Sequence, residues 1–306
     1  MASTTHASLP APAEDQAYMR VSALEAGSLT FPQWWIVNGI PPHAPGLYNT
    51  PSLSFYLEHS KSGKKVVFDL GIPKDLTILS PLTQNRIGPG KVITVDVSHG
   101  VVEDSLKAGG IDPDEIDVVV LSHAHWDHIG DQRPFTKATF IVGSESHEIL
   151  DYAYPQNKDS AFVSSLVPAG RTRYIGEHDG DWTSPIGPWE KAHDLFGDGS
   201  TYILHGPGHL QGHICLLART SAEGSWIVLT GDAAHDERLI SGERDIAQHA
   251  DDGCGKPFCM HVNPTQARET IAKLGIMYYT PKVHVQIAHK AVDDSYYFPG
   301  RIPAKK

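Results

Sequence analysis

Cysteine is scarce in this 306-residue chain, with three in all, and an odd count that small builds no disulfide framework. Long apolar runs are missing too. The longest hydrophobic stretches are strand-sized, well short of the roughly 20 residues a membrane-crossing helix needs. Positive charge is in deficit: 25 Lys plus Arg stand against 36 Asp plus Glu, a formal charge of −11. Nucleic acid and anionic membrane both call for a basic surface, so neither is expected as the partner. Nor is the chain disordered or collagen-like, since apolar residues make up 40% and Gly plus Pro are not periodic. A globular protein with a sizeable core remains. What it has in abundance is histidine, 18 in number.

Residues 1–17 are small, polar and proline-containing, without the charged start and apolar core of a signal peptide, and read as a disordered or extended tail. Asn263-Pro264-Thr265 has proline in the middle and is no glycosylation sequon. The location expected is cytoplasmic. No repeat or linker divides residues 18–306, which read as one catalytic domain.

Five short apolar runs look like strands buried on both faces: 65–68, 118–121, 140–142, 202–204 and 226–229. Val283, Val285 and Ile287 alternate, as in a strand with one wetter face. Helices are expected over 101–108, from near Ser144, and over 267–274. The last has Asn263 as N-cap, Pro264 at the first position and Gly275 as the stop. Strands alternating with helices point to an α/β fold. Two segments stay irregular, 31–51 and 154–200, and segments of that length are usually lids or binding loops.

The chemistry gathers after strands. Ser122-His123-Ala124-His125-Trp126-Asp127-His128 follows the run ending at Leu121. Imidazole and carboxylate suit zinc, and four such residues within six positions exceed the needs of one ion. Further donors follow other strands: His205 to His213 with Pro207-Gly208-His209, Gly231-Asp232, Ala288-His289 and Asp69-Leu70-Gly71. Open α/β sheets build their sites from such strand ends.

His-x-His-x-Asp-His, Pro-Gly-His, Gly-Asp and a late Ala-His, in this order, resemble the metallo-β-lactamase superfamily over roughly residues 66–290. The resemblance implies a four-layer αββα sandwich with a lid-like insertion and two divalent metal ions, zinc foremost. By that resemblance His123, His125 and His209 hold one ion, Asp127, His128 and His289 hold the other, and Asp232 bridges them. Asp69 would orient a ligand histidine, and His213 would be structural, with His205 and His284 as ordinary hydrogen-bonded residues. The implied reaction is hydrolysis by a metal-bridging hydroxide, and no Gly-x-Ser-x-Gly elbow competes with it.

The overall pattern is similar to quorum-quenching lactonases and to fungal lactonases and γ-lactam hydrolases of the benzoxazolinone-opening type. In those lactonases a tyrosine lies three residues after the bridging aspartate; here that position is His235. A histidine donates a proton near pH 7 more readily than a tyrosine does. The expectation is therefore a hydrolase of a small lactone, γ-lactam or cyclic carbamate, with Asp127 and His235 as catalytic residues. Packing at the rim is the alternative for His235. Two other functions stand beside it: a thioester hydrolase similar to glyoxalase II or polyketide-releasing thioesterases, and a metal-binding domain without turnover. The partner expected is a small molecule, with a homodimer as an open option.

Trp34, Trp35, Tyr48, Trp126, Trp182 and Trp189 are candidates for an aromatic pocket wall, with core packing or a dimer contact as the alternative for all but Trp126. Cys254, Cys259 and His261 resemble a zinc knuckle, but the C-x4-C spacing is off the common short pattern, so Cys254 and Cys259 are read as a disulfide or free thiols, and Cys215 as a buried thiol.

Overall fold

The computed structural model describes residues 6–178, 180–250 and 255–306. Among the described residues, fourteen strands run in chain order. They are β1 (Met19–Leu24), β2 (Ser28–Pro32), β3 (Leu47–Pro51), β4 (Ser54–His59), β5 (Lys65–Phe68), β6 (Thr94–Asp96) and β7 (Val118–Val120). There follow β8 (Thr139–Gly143), β9 (Thr172–Ile175), β10 (Ala192–Asp194), β11 (Thr201–His205), β12 (Ile214–Arg219), β13 (Trp226–Leu229) and β14 (Val283–Gln286). The α-helices are α1 (Pro81–Gln84), α2 (Val102–Ala108), α3 (Trp126–Ile129), α4 (His147–Leu150), α5 (Glu237–Ile240) and α6 (Pro264–Tyr279).

Two large sheets form, ordered β1-β4-β5-β7-β8-β9 and β10-β11-β12-β13-β14, with a small third sheet β3-β2-β6. Strands β5, β7, β8 and β9 are parallel, whereas β10 to β13 run antiparallel before β14 joins in parallel. Side chains alternate across each strand, and the alternation divides the core into layers. Val66, Phe68, Val120 and Ile141 meet Ile203, Leu216, Ile227 and Leu229 between the two sheets. Val67, Val119 and Phe140 face outward onto Leu106 of α2. On the opposite side Leu204, Leu217 and Val228 face Ala267, Ile271, Leu274 and Met277 of α6. Helix, sheet, sheet and helix are thus stacked, the αββα sandwich anticipated above.

One expected boundary was wrong. α6 does not stop at Gly275 but continues to Tyr279, ahead of Thr280 and Pro281. Gly275 serves close packing instead, since a Cβ there would lie 3.0 Å from the Ile240 carbonyl of α5. Near Ser144 the expected helix divides into a 3-10 turn and α4, which buries Leu150. The irregular stretch 154–200 contributes β9 and β10 to the sheet edges and Trp189 to the core.

Residues 6–17 lie extended against the body. Ala7 donates its amide to Thr280 Oγ1, and the buried Arg219 donates to the Pro10 carbonyl at 2.9 Å. Cys215 is a buried free thiol and Cys259 a half-buried one, while Cys254 lies outside the described residues. Among the described residues, no helix is long and apolar enough to cross a membrane.

Candidate metal centre

Strand ends assemble the site along one edge of the sandwich. Asp69 follows β5, His123 follows β7, and α3 presents Asp127 and His128 within its first turn. Asp232 follows β13, His289 follows β14, and His209 sits in the turn between β11 and β12. Glycine makes two of these turns possible. Gly231 has φ +52°, and a Cβ there would stand 2.6 Å from Ser122 Cβ. Gly208 has φ +125° and lies against the start of α6, 2.2 Å from Ala267 N measured from the same virtual atom.

Two groups of donor atoms result, sharing one carboxylate. In the first, His123 Nε2 lies 2.8 Å from His125 Nδ1, and His209 Nε2 lies 3.0 Å from that same atom. Asp232 Oδ2 completes it, 3.7 Å from His123 Nε2 and 3.5 Å from His209 Nε2. In the second, His128 Nε2 and His289 Nε2 each lie 3.2 Å from Asp232 Oδ1 and 3.7 Å from Asp127 Oδ2. A tetrahedral zinc ion with bonds of about 2.0–2.1 Å separates its ligand atoms by roughly 3.3 Å, so both groups fit a divalent cation. The buried His128 Nε2 and Asp232 Oδ1 have no hydrogen-bond partner, an expensive state for polar atoms unless a cation lies between them.

The outward ends of these side chains are held. Asp69, fully buried, accepts from His128 Nδ1 at 2.9 Å, from Ser122 N at 2.6 Å and from Ser122 Oγ at 2.8 Å. Ser122 Oγ also meets His123 Nδ1 at 2.9 Å, so one carboxylate supports a histidine in each group. Asp69 itself has φ +62°, a left-handed conformation that aspartate tolerates better than most residues. His289 Nδ1 donates to the Pro51 carbonyl at 2.9 Å. His213 Nε2 accepts from the Asp232 amide at 3.2 Å, the structural part expected of it. His205 pairs with Glu145, and His284 with Gln286.

Burial and neighbouring imidazoles keep His123 and His209 well below the usual histidine range, and burial takes His125 down to about 4. These rings are neutral at pH 7 and ready to donate lone pairs. Burial also acts on His128 and His289, but the carboxylates of Asp232 and Asp127 outweigh it and raise both. Burial opposes ionisation of Asp232, yet His128, His289 and His235 hold it well below the carboxylate range.

His235 is buried beside the first group, its Nε2 3.2 Å from Asp232 Oδ2. It lines a cavity of about 730 Å³ that opens over both donor groups. Trp35 and Trp126 line that cavity as expected of the aromatic candidates, joined by Phe31, Phe162 and Phe258. The other four stand elsewhere: Trp34 and Trp189 are buried in the core, Tyr48 bonds Asp236, and Trp182 packs against His205. Residues not singled out in the sequence include Phe31, Phe162 and Phe258. No motif marks them, since each acts through a spatial neighbour distant in the chain.

An αββα sandwich with paired His/Asp groups along one edge defines a class of metal-dependent hydrolases. The chain belongs to the metallo-beta-lactamase superfamily, whose family model matches residues 47–261. It is 35% identical over 193 residues to gamma-lactamase FDB1 of Fusarium pseudograminearum, covering 61% of this chain and 46% of that protein. With gamma-lactamase MBL2 of Gibberella moniliformis it shares 38% over 173 residues, 56% of this chain and 70% of the relative. With N-acyl homoserine lactonase AttM of Rhizobium johnstonii it shares 33% over 154 residues, 48% and 54% of the two chains. The chain thus spans about half the length of FDB1 and AttM. Among solved structures, an N-acyl homoserine lactone hydrolase with bound N-hexanoyl-L-homoserine superposes with TM-score 0.65 at 19% identity, covering 93% of this chain and 99% of that one. AidC, a dizinc quorum-quenching lactonase, gives 0.56 at 14% identity over 99% of both. At such identities these two likenesses concern the fold.

Proposed function

We propose that the protein is a dinuclear metal-dependent hydrolase that opens a small cyclic ester or amide, either a lactone or a γ-lactam or cyclic carbamate. The observation that carries this reading is the split of Asp232, with Oδ2 in one donor group and Oδ1 in the other. His123, His125 and His209 would hold one ion and Asp127, His128 and His289 the other, Asp232 serving both. The donor set suits zinc. Bound divalent ions would supply Lewis acidity and a water activated near neutral pH.

The chain's own residues do the rest. Asp69 and the Pro51 carbonyl fix the ligand rings of His128 and His289, and Ser122 fixes His123. The apolar wall of Phe31, Trp35, Trp126, Phe162 and Phe258 sheds water from a ring-bearing substrate and orients it. His235 supplies the proton to the departing atom. An amine nitrogen leaves poorly unless protonated, whereas an alkoxide leaves more readily, so this proton matters most for a lactam. Two curated relatives named gamma-lactamase and one named lactonase support the same substrate range.

The test is a substrate panel on the metal-loaded protein: a five-membered lactone, a benzo-fused lactam and an acyl thioester. Ring opening with a slow thioester supports the reading. Preference for the thioester would replace it with the glyoxalase II-like alternative, and no turnover on any of the three would favour a binding domain.

A further inference from the structure

A third cluster of imidazoles shares His209 with the first donor group and adds two histidines that belong to neither group: His209, His235 and His261 have ligand nitrogens within 4.8 Å of one another. All three residues are buried. His261 Nδ1, His235 Nε2 and His209 Nδ1 have no hydrogen-bond partner. Ring centroids stand 4.8 Å apart for His209 and His235, 5.2 Å for His209 and His261, and 5.3 Å for His235 and His261.

The backbone fixes this arrangement. Val262 donates its amide to the His209 carbonyl at 3.0 Å, and Asn263 donates to Gly208 at 2.9 Å, which pins His261 beside the Pro-Gly-His turn. His235 is fixed by its place three residues beyond Asp232. Buried nitrogens left this way are costly: His261 Nδ1 and His209 Nδ1 have lost water without gaining a partner, and His235 Nε2 has only the Asp232 carboxylate at 3.2 Å, without a hydrogen bond. Imidazole nitrogens donate their lone pairs readily to a divalent transition metal such as zinc.

We propose that His235 and His261, closed on the third side by His209, form an additional transition-metal site that fills when zinc is in excess and inhibits the enzyme. Two imidazoles completed by water bind zinc more weakly than three histidines with a shared carboxylate, so this site fills last. Its ion occupies the lone pair of His235, and His235 lines the substrate cavity. The binding stands on the cluster alone; the inhibition rests on the function proposed above.

Zinc itself is the probe. Equilibrium dialysis of the full chain against rising free Zn²⁺ is expected to show two tight equivalents and then a third, weaker one at micromolar zinc. His261→Gln and His261→Phe should each keep the tight pair and lose the third. Rates should fall several-fold across the same zinc range in the unaltered protein and stay flat in both variants. Circular dichroism and thermal unfolding check that each variant is folded, and the two side chains differ enough in size that one is tolerated. A third equivalent retained in both variants, or absent from the unaltered protein, overturns the proposal. Should the tight count fall below two while a His261-dependent equivalent remains, the dinuclear reading fails and this site stands.

Discussion

Replacing Asp69 with asparagine changes one oxygen of a fully buried carboxylate into an amide nitrogen. Oδ1 now accepts from Ser122 N at 2.6 Å, while Oδ2 accepts from both Ser122 Oγ and His128 Nδ1. If the asparagine keeps its oxygen on the Ser122 amide, its NH2 points at His128 Nδ1, and two donors face each other. Ser122 can rotate its hydroxyl to accept, but a His128 ring that presents Nε2 to a cation keeps its proton on Nδ1 and has no such freedom. Losing the group that orients a ligand histidine typically weakens metal binding by about 10–100-fold, or about 1.4–2.7 kcal/mol. The loss should fall mainly on the ion held by Asp127, His128 and His289. His123 is supported only through Ser122 and should lose less. Competition with a chelator of known affinity, read as two separate release steps, measures both. Equal weakening of the two ions, or none, would refute the reasoning that Asp69 acts through His128.

His235→Phe should lower turnover of a benzo-fused lactam by about 10²-fold or more and that of a lactone by less, in side-by-side kinetics; unchanged rates on both would remove the acid role. Metal loading should depend on pH differently in the two groups. In the metal-free protein His128 and His289 titrate above the ordinary 6.5, so their contribution to stability is full below that pH and is lost as pH rises through the raised values. Each proton they hold must leave when a cation binds. Lowering the pH from 8 to about 5.5 should therefore release the ion of the Asp127 group first, while the His123 group, with His125 near 4, holds on. Metal content by dialysis across that range checks the order. Gly231→Ala, forced to φ +52° with a Cβ 2.6 Å from Ser122, should destabilise the fold by about 2–4 kcal/mol in denaturant unfolding of the metal-free protein.

Much of this was legible in the sequence because the two determinants are local. Runs such as 65–68 and 226–229 announce strands buried on both faces, and the donors follow directly at their ends. Gly275 misled because a glycine late in a helix serves equally as a stop or as a close-packing surface, and only α5 decides between them. The cavity wall was half legible for a related reason. Trp126 sits inside the donor motif and had to lie near it, whereas Phe162 and Phe258 reach the cavity only through tertiary packing. His261 stands out in the sequence only beside the Cys254 and Cys259 pair, whose spacing is off the common zinc-knuckle pattern, and its significance lies in its distance from His209 and His235.

Metal content bears most directly on the account. After removal of metal, reconstitution with limiting zinc and dialysis, the protein should retain two tightly bound equivalents. A strong chelator should abolish ring-opening activity, and zinc should restore it. One tight equivalent or fewer, or full activity in chelator, would contradict the dinuclear centre on which the proposed function depends.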